Sequence, residues 1–381
     1  MSGTILLGSL FGIKVRIHFS WFFIFVLFAW LLASNVLAMQ FPDWSFRTRL
    51  LVGIVESAML FVSVLIHEFS HSLVAIRRGH TVRSITLFFL GGVSEIEDES
   101  ESAADEFLIS FVGPLTSLVL GALLMGAGWL IMSSSDVVGT IVLYLGFMNL
   151  GLGVFNLIPA YPLDGGRVLK SLVWKATGNQ DKAINVSSLA GSMLGFFLIG
   201  LGVFFAISGN LLNGLWLVFI GWFIQSTASS TRREQVTQRV LSGKTVRDAM
   251  SDEVPTVPPG VTVEGFLNGY VMKEFRRAYV VGFGEAIRGL ITVNQIRSVP
   301  EEERPRKYIT EVMIPANQIT TIGPDDSLES ALSVLVTTGF HQLLVVEKGR
   351  PVGMLTRGDV LRVLEISELF PPEAIRRAAA R

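Results

Sequence analysis

The sequence contains no cysteine, which excludes disulfides and thiolate metal ligands and leaves any metal to nitrogen and oxygen donors. Charge is scarce as well. Acidic and basic residues make up 17% of the 381 positions and hydrophobic residues 50%, a balance that departs from soluble globular chains and points to a bilayer. The net charge is only -1, so no global basic field argues for nucleic acid as a partner. There are five histidines. Two of them sit with a glutamate in "LFVSVLIHEFSHSLV", Leu60–Val74, where apolar surroundings make ionisable groups expensive and mark them as functional.

Uncharged runs of the length a hydrocarbon core requires recur before about position 231. Six spans are expected: Phe19–Met39, Leu50–Ile76, which contains Glu56, His67, Glu68 and His71, Phe107–Ser135, Val137–Pro159, and two within the 49 uncharged residues Ala183–Thr231, divided by the turn chemistry of "SGNLLNG" at Ser208–Gly214. With the amino terminus in the cytoplasm, 11 lysines and arginines flank the spans on that side, against Arg47 and Arg49 on the other. The positive-inside rule therefore places both termini of a multi-pass cell-membrane protein in the cytoplasm. Between the second and third spans, "SITLFFL" followed by Gly91-Gly92 and an acidic run reads as a strand. Non-helical backbone at membrane depth must be buried in protein or line a wet cavity, so a re-entrant strand or hairpin is expected there.

After Arg233 the charges spread through the chain and the sequence repeats. "RAYVVGFGEAIRGLITVNQI" aligns with "HQLLVVEKGRPVGMLTRGDV", and each unit of about sixty residues reads as strand, helix, strand, strand, helix. The expected fold class is a membrane all-α bundle of about six transmembrane helices with the re-entrant hairpin, followed by a soluble α/β pair.

His67-Glu68-Phe69-Ser70-His71 is an H-E-x-x-H sequence. On a helix its two imidazoles project from one face and can bind a single zinc, with Glu68 beside the metal as general base. Zinc on three protein ligands keeps a fourth position for water and lowers that water's pKa to about 7. A third ligand is needed, and His18, His80 and His341 are poorly placed. Asp164 in "FNLIPAYPLDGGRVLK" follows a 27-residue uncharged stretch between helix-interrupting prolines and glycines. Spacing leaves two roles open for it, metal ligand or cap of the next helix. Glu56 lies eleven residues before His67, about 16 Å along one helix, too far to share the ion. Ser63, Ser70 and Ser72 either border a water route from the cytoplasm or make ordinary helix contacts.

HEFSH in a membrane span together with "NLIPAYPLDGG" resembles the site-2 protease family of intramembrane zinc metalloproteases, in the branch with carboxy-terminal tandem CBS domains. That resemblance covers essentially the whole chain. It implies a protease domain over residues 1–235 and CBS domains over 243–301 and 306–368. It also implies His67, His71 and Asp164 as ligands of one Zn2+ per chain, Glu68 as catalytic base, and Asn156 as a group that positions substrate or the oxyanion. The strand before Gly91-Gly92 would be an edge to which an unwound substrate segment adds. "GPLTS" at Gly113–Ser117 looks like the family's glycine-proline motif, with Ser117 where asparagine is common. In the soluble half, "GLIT" and "GMLTRGD" resemble CBS sequences, which implies an adenine nucleotide contacted by Thr356 and Asp359. The first module has Gln295 in place of the aspartate, and a homodimer through the CBS domains is the other role. The expected activity is regulated hydrolysis of transmembrane protein substrates; a CBS-regulated channel or transporter is the alternative, and a catalytically idle scaffold a further one.

Overall fold

A computed structural model describes residues 3–89, 91–96, 100, 102–283 and 286–369. The chain divides into two compact units, 1–233 and 234–381.

Among the described residues six helices are long and apolar enough to cross a membrane. They are α1 (Ser20–Gln40, with a π turn at Leu32–Val36), α2 (Phe46–Arg77), α3 (Ala103–Met132), α4 (Asp136–Asn156), α6 (Gln180–Ile207) and α7 (Leu211–Leu241). A shorter amphipathic helix, α5 (Asp164–Thr177), lies between α4 and α6. Helix starts follow the local chemistry. Ser45, Ser102, Ser135 and Asn179 each offer a side-chain oxygen to a backbone N–H three residues on, which satisfies one of the orphan donors of a first turn. Large apolar side chains such as Phe23, Leu123, Trp129 and Phe196 face outward, as lipid contact requires. Helices α3 and α4 approach closely because glycines face each other: a Cβ on Gly121 would lie 2.8 Å from the Leu150 nitrogen, and one on Gly146 2.8 Å from the Met125 nitrogen. Small-residue contacts of this kind let helix backbones meet in a bilayer.

Four strands form a sheet in the order β1 (Thr4–Leu10), β2 (Ile13–His18), β3 (Val82–Phe88), β4 (Gly91–Ile96). The β3–β4 antiparallel pair is the hairpin expected between the second and third spans; Leu90 and the acidic residues 97–99 and 101 lie outside the described residues. The β1–β2 hairpin is new to the structure. Its signal was the alternation of Ile13, Val15 and Ile17, all buried, after a turn at Phe11-Gly12 with φ of 52° and 82°. It also corrects one expectation. Strand β3 pairs with β2 on one side and β4 on the other, so the strand before Gly91-Gly92 is interior, and the strand that those glycines begin is an edge.

The second unit carries the repeat. Each copy runs short strand, helix, two antiparallel strands, helix: Thr256–Val257, Val263–Phe266, Ala278–Phe283, Ala286–Thr292 and Val293–Arg297 in the first; Thr321–Ile322, Leu328–Thr337, Gln342–Glu347, Arg350–Thr356 and Arg357–Leu369 in the second. In each, the short strand pairs in parallel with the first hairpin strand. Val280 and Leu290 of one copy and Leu344 and Met354 of the other share one buried cluster, so the two copies bury apolar surface against each other.

Candidate active site

Helix α2 carries the H-E-x-x-H residues, and the helical spacing places His67 and His71 one turn apart on a buried face, with ring centroids 4.9 Å apart. Asp164 opens α5. The preceding cap position is Leu163 and makes no side-chain capping bond, whereas Asp164 Oδ2 lies 3.1 Å from His67 Nε2 and 3.2 Å from His71 Nε2. The carboxylate is thus turned into the histidine pair, 93 and 97 residues away in sequence. Two glycines make that turn sterically allowed, since a Cβ on Gly165 would sit 2.2 Å from the Leu157 oxygen and one on Gly166 2.3 Å from the Tyr161 nitrogen. Helix α6 supports the loop from behind through Ser187 Oγ, which donates to the Gly166 carbonyl at 2.6 Å.

The three side chains fit a metal ion. Their ligating atoms all lie within 4.8 Å of one another, and the two Nε2 atoms are 3.2 Å apart. His71 Nδ1 is 2.5 Å from the Ile109 carbonyl, which only accepts, so Nδ1 carries the proton and Nε2 presents a lone pair. His67 Nδ1 lies 2.8 Å from Ser117 Oγ, a partner able to accept the other imidazole proton. Two nitrogen lone pairs and a carboxylate oxygen then converge, an arrangement that a cation relieves. A tetrahedral zinc with bonds of about 2.0–2.1 Å has ligand-to-ligand edges of about 3.3 Å, close to the separations observed.

Helix α3 presses against this cluster without adding a ligand. A Cβ on Gly113 would meet His71 Nε2 at 2.1 Å and His67 Nε2 at 2.8 Å, so only glycine leaves room for the rings. Ser117, four residues further on, faces His67. Neither contact follows from spacing; the glycine-proline sequence around them was the available signal. Glu68 stands to one side. Its Oε2 accepts from Ser94 Oγ of β4 at 3.0 Å, and a Cβ on Gly92 would lie 2.4 Å from Glu68 Cγ. The edge strand is therefore packed directly on this carboxylate.

A cavity of about 760 Å³ brings these groups together, lined among others by His67, Glu68, His71, Gly92, Asn156 and Asp164. Ser63, Ser70 and Ser72 do not line it. Ser63 donates to the Met59 carbonyl and Ser70 to the His67 carbonyl, ordinary contacts within the helix, and Ser72 donates to Ser94 of β4. Glu56 is buried in α2, and neither of its oxygens has a hydrogen-bond partner among the described residues; it lies outside the metal cluster.

Comparison with known proteins settles the family. Residues 55–135 and 131–201 match the model of peptidase family M50, and residues 309–366 match the CBS domain. Over 373 residues the chain is 34% identical to a protein of Synechocystis named "Putative zinc metalloprotease", covering 96% of this chain and 97% of that one. The chain belongs to peptidase family M50, the site-2 proteases. This M50 protease is also 34% identical over 378 residues to the Mycobacterium tuberculosis protein named "Putative zinc metalloprotease Rip3", covering 98% of this chain and 96% of that one. It is similar to the solved site-2 protease from Methanocaldococcus jannaschii, with 26% identity, a TM-score of 0.43, and coverage of 60% of this chain and 95% of that one. The protein is a membrane-embedded zinc metalloprotease that hydrolyses peptide bonds.

In the second unit Thr356 and Asp359 are engaged with each other. The Thr356 N–H and Oγ1 both donate to Asp359 Oδ2, at 3.0 and 2.6 Å, which caps the helix Arg357–Leu369. The first copy repeats the arrangement with Thr292 and Gln295. Thr356 also borders a cavity of about 570 Å³ with Ser251, Arg276, Arg277 and Arg357; Asp359 does not.

Proposed function

We propose that this M50 protease is an intramembrane endopeptidase that cuts peptide bonds within or near transmembrane segments of other membrane proteins, after an earlier cut has shortened them. One observation carries the proposal: the H-E-x-x-H residues of a membrane-spanning helix share a cavity wall with a sheet edge. A transmembrane substrate arrives helical, with its peptide bonds occupied and shielded. Strand addition at β4 would hold an unwound segment extended, its backbone groups paired, beside Glu68. His67, His71 and Asp164 would hold one zinc per chain, with Nδ1–H of the imidazoles fixed by Ser117 and Ile109. Bound zinc supplies Lewis acidity, which makes water nucleophilic near neutral pH. Glu68 would take a proton from the attacking water and pass it to the leaving amine, while Asn156 on the cavity wall would position the scissile segment. The positive-inside asymmetry supports cytoplasmic termini, with the cluster about 10 Å inside the cytoplasmic boundary, since Arg77 follows His71 by six residues.

The test is a reporter with one transmembrane segment, reconstituted with the purified protease in lipid. The expected product ends map within or beside the hydrophobic segment; cleavage confined to distant soluble loops would overturn the proposal.

For the remainder of the chain, we assign residues 243–301 and 306–368 to a CBS pair that regulates or assembles the protease region 1–235, including as a homodimer. The arginines around Thr356 support an anionic ligand such as an adenine nucleotide. Titration calorimetry with AMP, ADP and ATP is expected to give saturable heat that Thr356→Ala diminishes. Absence of heat with all three would leave the pair as an assembly module.

A further inference from the structure

Four positions of helix α3 with spacings of three, four and four share one face, and each touches the machinery around the histidine pair. They are Glu106, Ile109, Gly113 and Ser117. Ile109 fixes His71 through its carbonyl, Gly113 leaves space for both rings, and Ser117 fixes His67. Glu106 reaches the remaining element. Its Oε1 accepts from Arg167 Nε at 3.0 Å and lies 3.5 Å from Lys170 Nζ, and both cations sit on α5, three and six residues beyond Asp164. Glu106 is 2% exposed. A carboxylate so buried is held in place by its partners, and those partners by it, because either side alone would strand an uncompensated charge.

We infer that Glu106 is a positioning residue for the metal site: by clamping Arg167 and Lys170 it sets α5 against α3, and so sets the Asp164 carboxylate against the histidines that α3 already holds. Arg167 also interacts electrostatically with Asp164. It therefore feels two carboxylates, one that it is bonded to and one that belongs to the cluster. Without the Glu106 charge, Arg167 would keep its attraction to Asp164 but lose the partner that orders it, and would draw the carboxylate out of register. Glu106, Arg167 and Lys170 line the same cavity as His67 and His71, so the clamp and the site border one space. The inference rests on His67, His71 and Asp164 being the zinc ligands.

The experiment uses the full-length protein in lipid and measures zinc affinity by competition with a chromophoric chelator, and the visible absorption of the cobalt(II)-substituted form. Glu106→Gln is expected to weaken zinc binding about 10–100-fold, as loss of an outer support does, and to move the cobalt bands. Arg167→Gln, which breaks the clamp from the other side but leaves Glu106 beside Lys170, should give a smaller change of the same kind. If Glu106→Gln does not accumulate as folded protein, Arg167→Gln decides alone. Folded variants with wild-type affinity and unmoved bands overturn the inference, even if their thermal midpoints fall, because a purely structural ion pair would act on stability only. Wild-type protein that binds no zinc would instead refute the ligand assignment.

Discussion

Glu68→Gln is expected to lower cleavage of a membrane-embedded reporter by about 10²–10⁴-fold, the range general-base catalysis supplies, while zinc content stays at that of the wild type. Both halves of the expectation come from where Glu68 sits. It is absent from the three converging ligand atoms, so losing its charge leaves the donor set intact. Glutamine keeps the side-chain length and an oxygen that can accept from Ser94, so the packing of β4 against α2 survives. What disappears is a proton acceptor able to serve the attacking water and then the leaving amine. Activity assays paired with elemental analysis of the same preparation check the result. Loss of zinc together with activity would move Glu68 from base to ligand, and retention of full activity would remove it from the chemistry.

Gly113→Ala is the second large effect expected, and it should act on the metal instead of the chemistry. The new methyl carbon would lie 2.1 Å from His71 Nε2 and 2.5 Å from His71 Cε1, with His67 Nε2 at 2.8 Å. These are the metal-facing parts of both rings, so relief of the overlap requires either imidazole to swing away from Asp164 or α3 to retreat from α2. A retreat would also cost the contacts of Ile109 and Ser117 with the two Nδ1 atoms. Zinc affinity should therefore fall by more than the roughly 10–100-fold that follows from losing one outer hydrogen-bond partner, and activity should fall with it. Gly126 in the same helix is the internal control, since a Cβ there meets nothing within 4 Å; Gly126→Ala should retain zinc and activity. Zinc titration of the two variants side by side separates the steric cause from any general effect of alanine in α3. Equal affinity in both would show that the rings do not occupy the positions described.

Several features were legible because they are local. Six spans follow from predominantly apolar runs as long as a bilayer is thick, and a pair of like units follows from a repeat whose copies each encode the same order of strands and helices. The resemblance of "GLIT" and "GMLTRGD" implies that these are CBS domains. Ser117 and Gly113 were half legible, visible as a motif but not as contacts. Other features could not be read locally. The β1–β2 hairpin precedes the first span and joins β3 across more than sixty residues, and only that pairing makes β3 interior and leaves β4 as the edge of the β3–β4 hairpin. The same limit applies to Glu106, which in sequence is one acid among several at the start of a helix.

By itself the sequence determined that His67 and His71 share a helical face with Glu68 beside them, because a period of 3.6 residues fixes directions within one turn whatever surrounds it. It could not choose between ligand and cap for Asp164. The tertiary structure turns the Asp164 carboxylate to the two histidines, and that placement depends on where α5 lies relative to α2. That distance is set by backbone contacts at Gly165 and Gly166, by the support of α6, and by the packing of α3 between the two ligand-bearing helices. Convergence of side chains 93 and 97 residues apart is a property of packed helices, which hydrophobic periodicity alone does not place in space.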